Sequence, residues 1–491
     1  MIGTSLGELI FIRLCIVYFR YTPLVYAAAL VVVVTLFGAW PWQGGVATAL
    51  GSLLVAELLF YLTIHIPYRR RLHLAAVHPP PLSPSERATL FYQCTKSIPD
   101  VERYLRWWFL GSEMSDIHKD NLRDFLRWAF FETGTEHECA HLLPHGEDIT
   151  EQLEEFVITS EKRLGYSLRP GRGKAKCLRL TLEHVHTTYR GLAWYVIVFV
   201  VDHITHAAMR WRGFEYHGRQ RAAALATFPP RPLELLAKHR SPAPGLGYWH
   251  RRASPENKEL PIVFLHGIGI GIWCNVRFLA ELCLAKKRRG AGIIIPELLP
   301  VSFRLTAAPV SKGEFLGQMT QILEHHNGEG CWDRFAVVSH SYGSVLSSYM
   351  VHSPTLGPRV ASVVLIDPVS IMLHLPDVAY NFTRRRPQRA NEWQLWYFAS
   401  TDPGVAHCLA RHFFWRDCIV WTEELTRQGC RRAWVCLGGR DVIIDSAAVA
   451  QYLEGSGVEV MLFAHLDHAQ VFDSPPDRRR LVEIVDSVCH G

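Results

Sequence analysis

The sequence predicts an α/β protein built on a mostly parallel sheet with helices on both faces, preceded by a membrane-embedded hairpin and a mainly helical region. Three observations predict it. From residue 262 onward, short continuous apolar runs alternate with helical stretches, the pattern of strands buried on both sides. Two uninterrupted apolar segments of near-spanning length open the chain. Proline-rich strings separate these two parts from what lies between them.

Composition sets the bounds. At 491 residues the chain is too long for one core. Hydrophobic residues make up 49% and charged residues 20%, an apolar lean that fits globular protein with membrane segments. The net charge of +6 comes in short clusters with no basic stripe interleaved with aromatics, so a nucleic-acid partner is excluded. The 12 cysteines form no CxxC pair and no regular spacing, and Cys283 and Cys436 lie inside apolar runs. This is cysteine usage of a reducing compartment.

The first 72 residues read as an anchor of two transmembrane helices, about 22–41 and 45–66, joined by the tight turn Pro41-Trp42-Gln43-Gly44. Arg13 and Arg20 precede the pair and Arg69-Arg70-Arg71 follows it, so both ends are expected in the cytosol, with the catalytic part of the chain on that side. Tyr26, Trp40, Trp42, Tyr61 and Tyr68 fall where an aromatic belt would lie. Glu57 sits at mid-depth, where an unpaired acid costs about 2.5–3.5 kcal/mol. It is therefore expected to face a partner helix or to be protonated.

Residues 73–235 read as mainly helical, with no role assigned. After the proline-rich 78–87 stretch, Ser83 or Ser85 supplies a helix cap. Within 116–131, Leu122, Phe125, Leu126 and Ala129 share one helical face. His137-Glu138-Cys139-Ala140-His141 fits the zinc-binding H-E-x-x-H pattern. However, Gly134 and Pro144 bracket it and no distal ligand stands out, so no metal is expected. The apolar stretch 191–204 is shorter than a span and reads as a buried helix or one pressed on the bilayer surface.

The third part, 236–491, begins after the proline-rich string at 228–247. Strands are expected at 262–265, 292–295, 335–339, 361–366, 433–437 and 458–463. Helices are expected at 276–286, 312–326, 342–351, 446–453 and 478–488. The interval of about 369–428 breaks the rhythm. It is aromatic-rich and poor in strand signals, as an inserted cap would be.

The chemistry centres on Ser339-His340-Ser341-Tyr342-Gly343, between a strand and a helix. A tight strand-to-helix turn strains its central residue and needs small neighbours two positions away. Ser339, where glycine is more usual, and Gly343 supply them. The turn lifts Ser341 above the carboxyl edge of the sheet, where open α/β sheets bind ligands. A nucleophilic serine needs a base and an orienting acid. Asp441, after Gly438-Gly439 at a strand end, is the expected acid, with Asp445 and Asp367 as alternatives. His468, in a loop ahead of the final helix, is the expected base, with His465 as the alternative. The amides of Tyr342 and Ile268, the latter in the His266-Gly267-Ile268 loop, are the expected oxyanion donors. That glycine loop lacks the Lys-Ser/Thr of a phosphate-binding P-loop.

These motifs (HGIG, SHSYG, GGRD and LDHA) resemble the α/β-hydrolase family, over roughly 245–491. The complete arrangement is similar to membrane-anchored α/β-hydrolase-domain proteins of fungi. The resemblance implies a serine hydrolase with a cap over its site, acting on carboxylic esters and needing no cofactor. A lipid-like ester arriving from the bilayer is the expected substrate. An acyltransferase would use the same triad with an alcohol in place of water, and a non-catalytic membrane scaffold would keep the fold without the chemistry.

Overall fold

The structure is a computed structural model that describes residues 2–37, 45–133, 149–254, 256, 259–285, 290–330, 332–427, 429–430 and 432–489. A single sheet of nine strands organises it. In chain order these are β1 (Glu215–Gly218), β2 (His239–Arg240), β3 (Tyr248–Arg251), β4 (Ile262–Leu265), β5 (Ile293–Pro296), β6 (Phe335–His340), β7 (Val360–Ile366), β8 (Arg432–Gly438) and β9 (Glu459–Phe463). The spatial order is β2-β1-β3-β5-β4-β6-β7-β8-β9. β3 pairs antiparallel with both β1 and β5, and every other pairing is parallel.

The strands are apolar throughout because both faces are covered. Ile262 and Phe264 point into one core with Phe278, Leu282, Leu481 and Val485. Val263 and Leu265 point into the other with Phe315, Met319, Ile322 and Val345. This is the period-2 alternation of a strand sandwiched between helix layers. From β4 the chain passes to β5 on one side and then crosses to β6 on the other. The switch point therefore lies between the carboxyl ends of β4 and β6, where such sheets open a crevice.

The six expected strands are present, each within a residue or two of its expected bounds. β1, β2 and β3 were not expected. They carry EYHG, HR and YWHR, which hold no continuous apolar run. β1 also places residues before 236 in the sheet. The expected cap is an insertion between β7 and β8, with helices Pro376–Thr383, Ala390–Gln394 and Pro403–Arg411 among its elements.

The region before β1 packs onto this cap. Ser83 caps the Pro84–Lys96 helix through a reciprocal bond with Glu86. That helix stacks Phe91 on Phe156 of the Thr150–Leu164 helix, with centroids 3.9 Å apart. The Lys119–Phe131 helix buries Leu122, Phe125, Leu126 and Ala129, the face expected from sequence. Trp108 Nε1–H donates to the His374 carbonyl at 3.2 Å, and Trp415 Nε1–H of the cap donates to the Ala129 carbonyl at 3.0 Å.

At the amino end, helix Leu6–Arg20 meets helix Thr22–Phe37 at a sharp bend, 81° between their axes, and the latter packs on helix Gly45–Phe60. A continuous helical rod, Gly45–Leu72, and the helix Leu192–Trp211 are each long and apolar enough to cross a membrane. The bent pair passes the same test as a unit. The Leu192–Trp211 helix thus runs longer than expected, and it is two-sided. Asp202 on its inner face is ion-paired with Arg231 at 3.2 Å and Arg304 at 2.8 Å. Val196, Val200 and Ile204 on its outer face are exposed.

Glu57 faces a partner helix, end-on. Both carboxylate oxygens accept the Leu192 N–H at 3.0 Å, and one accepts the Tyr189 hydroxyl at 2.5 Å. The acid therefore sits at the N-terminus of the Leu192–Trp211 helix, where free N–H groups and the helix dipole favour negative charge. Gly191 makes the close approach possible, since a Cβ there would lie 2.7 Å from Thr22 Cβ. Its N–H donates to the Phe19 carbonyl at 2.9 Å.

Gly191→Ala is expected to destabilise the protein by about 1–3 kcal/mol through overpacking, and Glu57→Ala by at least the ~0.5–2 kcal/mol of a lost cap. Thermal unfolding in detergent measures both. Unchanged stability in the two variants would remove this junction from the account of the fold.

Candidate active site

The carboxyl end of β6 turns directly into the helix Gly343–His352. Ser341, at the turn, has φ 51°, a left-handed conformation that costs a non-glycine residue free energy. Hydrogen bonds hold it there. Its N–H donates to the Ile366 carbonyl at 2.9 Å, and its carbonyl accepts the Ser344 hydroxyl at 2.7 Å. The turn also needs room. A Cβ on Gly343 would fall 2.1 Å from the Leu265 carbonyl oxygen, and one on Gly267 would fall 2.9 Å from Ser341 Cβ. Ser339 is fully buried and its hydroxyl has no hydrogen-bond partner among the described residues.

Three side chains from three strand ends meet at this turn. His468 Nε2 lies 2.8 Å from Ser341 Oγ, and His468 Nδ1 lies 2.6 Å from Asp441 Oδ2. A carboxylate only accepts, so Nδ1 carries the proton and the Nε2 lone pair faces the serine hydroxyl. Asp441 is itself fixed, its Oδ1 accepting the N–H groups of Ile443 at 2.7 Å and Ile444 at 3.1 Å.

The alternative residues lie elsewhere. His465 is largely exposed and paired with Asp477 at 3.2 Å. Asp445 caps the Ser446–Leu453 helix and pairs with Arg103 at 3.3 Å. Asp367 is close to the triad but does not bond the imidazole. Its Oδ1 accepts the Gly438 N–H at 2.7 Å and its Oδ2 the Ala469 N–H at 2.8 Å, so it ties the acid loop to the base loop. Burial and the neighbouring Asp441 push its carboxyl up to about 6.

Two further residues complete the support. Asp467 accepts the His468 N–H at 2.7 Å and the Val442 N–H at 3.0 Å, and Asn391 of the cap donates to it at 2.6 Å. His266 Nε2 accepts the Leu298 N–H at 3.0 Å, while its Nδ1 lies 2.8 Å from the Gly267 carbonyl. Both ring bonds require a neutral imidazole donating from Nδ1, and burial indeed lowers its proton affinity. This ring holds the loop that presents Ile268. Neither the Ile268 nor the Tyr342 amide donates to another described group, and both residues line the same pocket as Ser341.

That pocket is narrow, with a cavity volume of about 70 Å³, and its lining is overwhelmingly apolar. The segment after β7 contributes Val369 and the loop after β8 Ile443, and the cap helices and the loops that follow them contribute Phe382, Leu409 and Phe413. Trp108, Trp128 and Leu180 come from the region before β1, whose part in the site was not legible in the sequence. The H-E-x-x-H stretch, 137–141, lies outside the described residues.

No protein-family model and no curated protein matches the sequence. Among solved structures, the chain is similar to a membrane phospholipase A described as a bacterial virulence factor, with 14% identity over 61% of this chain and 94% of that one and a TM-score of 0.37. It is similar to a carboxylesterase of the thaumarchaeon Nitrososphaera gargenis, with 17% identity, coverage of 50% and 95%, and a TM-score of 0.34. A thermostable esterase of Pseudomonas putida gives 16% identity, coverage of 50% and 80%, and a TM-score of 0.35. Similarity at this level transfers no activity. The sheet order, the turn at Ser341 and the cap after β7 are the chain's own grounds for an α/β-hydrolase type of fold.

Burial opposes charge on His468, but Asp441, with Asp367 and Asp467 behind it, outweighs burial and raises the imidazole to about 9. Only the neutral ring can take a proton from Ser341. Modification of Ser341 by an organophosphonate should therefore accelerate as pH rises toward 9, with its acid limb above the ~6.5 of free imidazole. Asp367→Asn removes a nearby negative charge and should move the limb to lower pH. Rates measured from pH 5 to 10 test this, and a limb at or below 6.5 in both proteins would contradict the electrostatic account.

Proposed function

We propose that the protein is a membrane-anchored serine hydrolase that cleaves a carboxylic ester through an acyl-enzyme on Ser341. One observation carries this reading: an unbroken relay of 2.8 Å and 2.6 Å from Ser341 through His468 to Asp441, open to an apolar pocket.

In the first step Ser341 Oγ attacks the ester carbonyl carbon while its proton passes to His468 Nε2. Asp441 steadies the imidazolium. The carbonyl electron pair moves onto oxygen, facing the Ile268 and Tyr342 amides. Each such donor is typically worth about 2.7–4 kcal/mol. Collapse breaks the carbon–oxygen bond, and His468 returns the proton to the departing alcohol. Water, deprotonated by the same imidazole, then releases the carboxylic acid and restores the serine.

The apolar pocket supports a substrate with a long hydrocarbon part. We place the Thr22–Phe37 and Gly45–Phe60 hairpin in the bilayer, with the Arg69-Arg70-Arg71 end on the cytosolic side. The Leu192–Trp211 helix lies along the membrane surface, because its inner face is ion-paired to the catalytic part of the chain while its outer face is apolar. Acyl transfer would use the same atoms with an alcohol in place of water. A purely structural role predicts an inaccessible serine, whereas Ser341 lines the pocket.

A fluorophosphonate probe should label the wild-type protein and not Ser341→Ala. His468→Ala should lower turnover of a p-nitrophenyl ester by about 10⁴-fold or more. Equal labelling of wild type and Ser341→Ala would reject the nucleophile.

A further inference from the structure

A second cavity adjoins the catalytic pocket. The two share Leu180, Thr383 and Leu409 as a common wall. Their linings differ sharply in chemistry. The catalytic pocket is apolar. The neighbouring cavity is lined by Arg20, Arg384, Arg385 and Arg386 together with His184 and His186, and no aspartate or glutamate lines it. Two of the guanidiniums have acidic partners outside the lining: Arg384 with Glu183, and Arg385 with Glu392 at 3.7 Å. Arg20 and Arg386 are exposed and have no acidic partner among the described residues. Two uncompensated guanidiniums in a concave site make a receptor for a phosphate, which matches their planar fork of donors.

The position of the cavity identifies the source of the phosphate. Arg20 ends the Leu6–Arg20 helix at the bend into the apolar Thr22–Phe37 helix. Tyr18, Tyr21 and Leu24 are exposed around that bend. Trp393 of the cap lines the same cavity and stacks under Arg13, 4.1 Å from ring centroid to guanidinium carbon. Aromatic and basic side chains beside an apolar run mark the depth of the lipid headgroups. An apolar pocket holding Ser341 thus shares a wall with a basic one whose lining includes Arg20, at the start of the apolar helices.

Resting on the serine-hydrolase reading, we infer that the substrate is a phospholipid. The basin of Arg20 and Arg384 to Arg386 seats its phosphate, while the apolar pocket guides a fatty-acyl ester to Ser341. The lysophospholipid leaves with the ester's own alkyl oxygen and a proton from His468, and water then supplies the hydroxyl of the released fatty acid and returns a proton to Ser341. The phosphodiester bonds stay intact.

The test uses the full-length chain in nonionic detergent micelles. Hydrolysis of a phosphatidylglycerol is compared with that of a diacylglycerol bearing the same acyl chains and with that of soluble p-nitrophenyl butyrate. The wild type is expected to favour the phospholipid over the diacylglycerol in kcat/KM. Arg20→Gln combined with Arg386→Gln is expected to reduce that preference about tenfold, mainly through KM, as loss of charge-assisted bonds would. A uniform fall on all three esters, or an unchanged preference, would overturn the inference. So would a basin that binds glycerol 3-phosphate in an arginine-dependent way while the wild type cleaves both lipids equally, since the site would then serve a soluble phosphate. Failure to hydrolyse any ester, with no probe on Ser341, would instead overturn the acyl chemistry on which the inference rests.

Discussion

The left-handed backbone of Ser341 is the constraint around which the rest of the site is arranged. A non-glycine residue at φ 51° costs on the order of 1–3 kcal/mol. The fold offsets this with the Ile366 and Ser344 bonds and with glycines where neighbouring backbones cross. The strain has a use. A relaxed turn would lay the serine side chain along the sheet. This one raises it to the switch point, within reach of a base that arrives from the far end of the chain. Ser339 shows the margin: its buried hydroxyl finds no partner among the described residues, a cost a glycine would avoid, and the surrounding bonds are sufficient to carry it.

Position alone does not orient a base. His468 is held by Asp441 through its ring and by Asp467 through its backbone, while Asp367 bridges the loops that carry acid and base. Three buried carboxylates around one imidazole repel one another. Asp367 consequently holds its proton more tightly than a free carboxyl, and the imidazole does the same. The arrangement trades a readily available neutral imidazole for a strongly stabilised imidazolium.

The sequence made the parallel strands legible because each is a continuous apolar run, a signal that local composition carries. It also exposed Ser341, Asp441 and His468, since each follows a strand end in a fixed order. β1 and β3 were invisible for the converse reason. Tyr216, His217, Trp249 and His250 are buried by neighbours distant in sequence, not by any local pattern. Glu57 stood out as an anomaly whose partner, the N-terminus of a helix 135 residues away, no spacing rule supplies. The same holds for the pocket wall. Nothing in the local sequence around Trp108 and Trp128 points to a site, and only the fold brings them to the pocket of Ser341.

The residues before β1 are joined to the site by more than proximity. Gly191 bonds the Phe19 carbonyl beside the apolar amino-terminal helices. The adjacent Arg190, fully buried, donates to the Thr401 carbonyl at 2.8 Å. The next residue, Asp402, caps the Pro403–Arg411 helix by accepting the N–H groups of Gly404 and Val405. That helix supplies Leu409 to the wall shared by the two cavities, and its Cys408 sulfur lies 3.1 Å from the Tyr342 hydroxyl, directly after the serine. Every link in this path is a buried hydrogen bond or a helix cap, each costly to break in a dry interior. The Leu6–Arg20 helix is therefore joined to the cap through hydrogen bonds and a helix cap rather than through a loose linker. The distance of the Ser341 pocket from the amino-terminal helices is consequently set by packing.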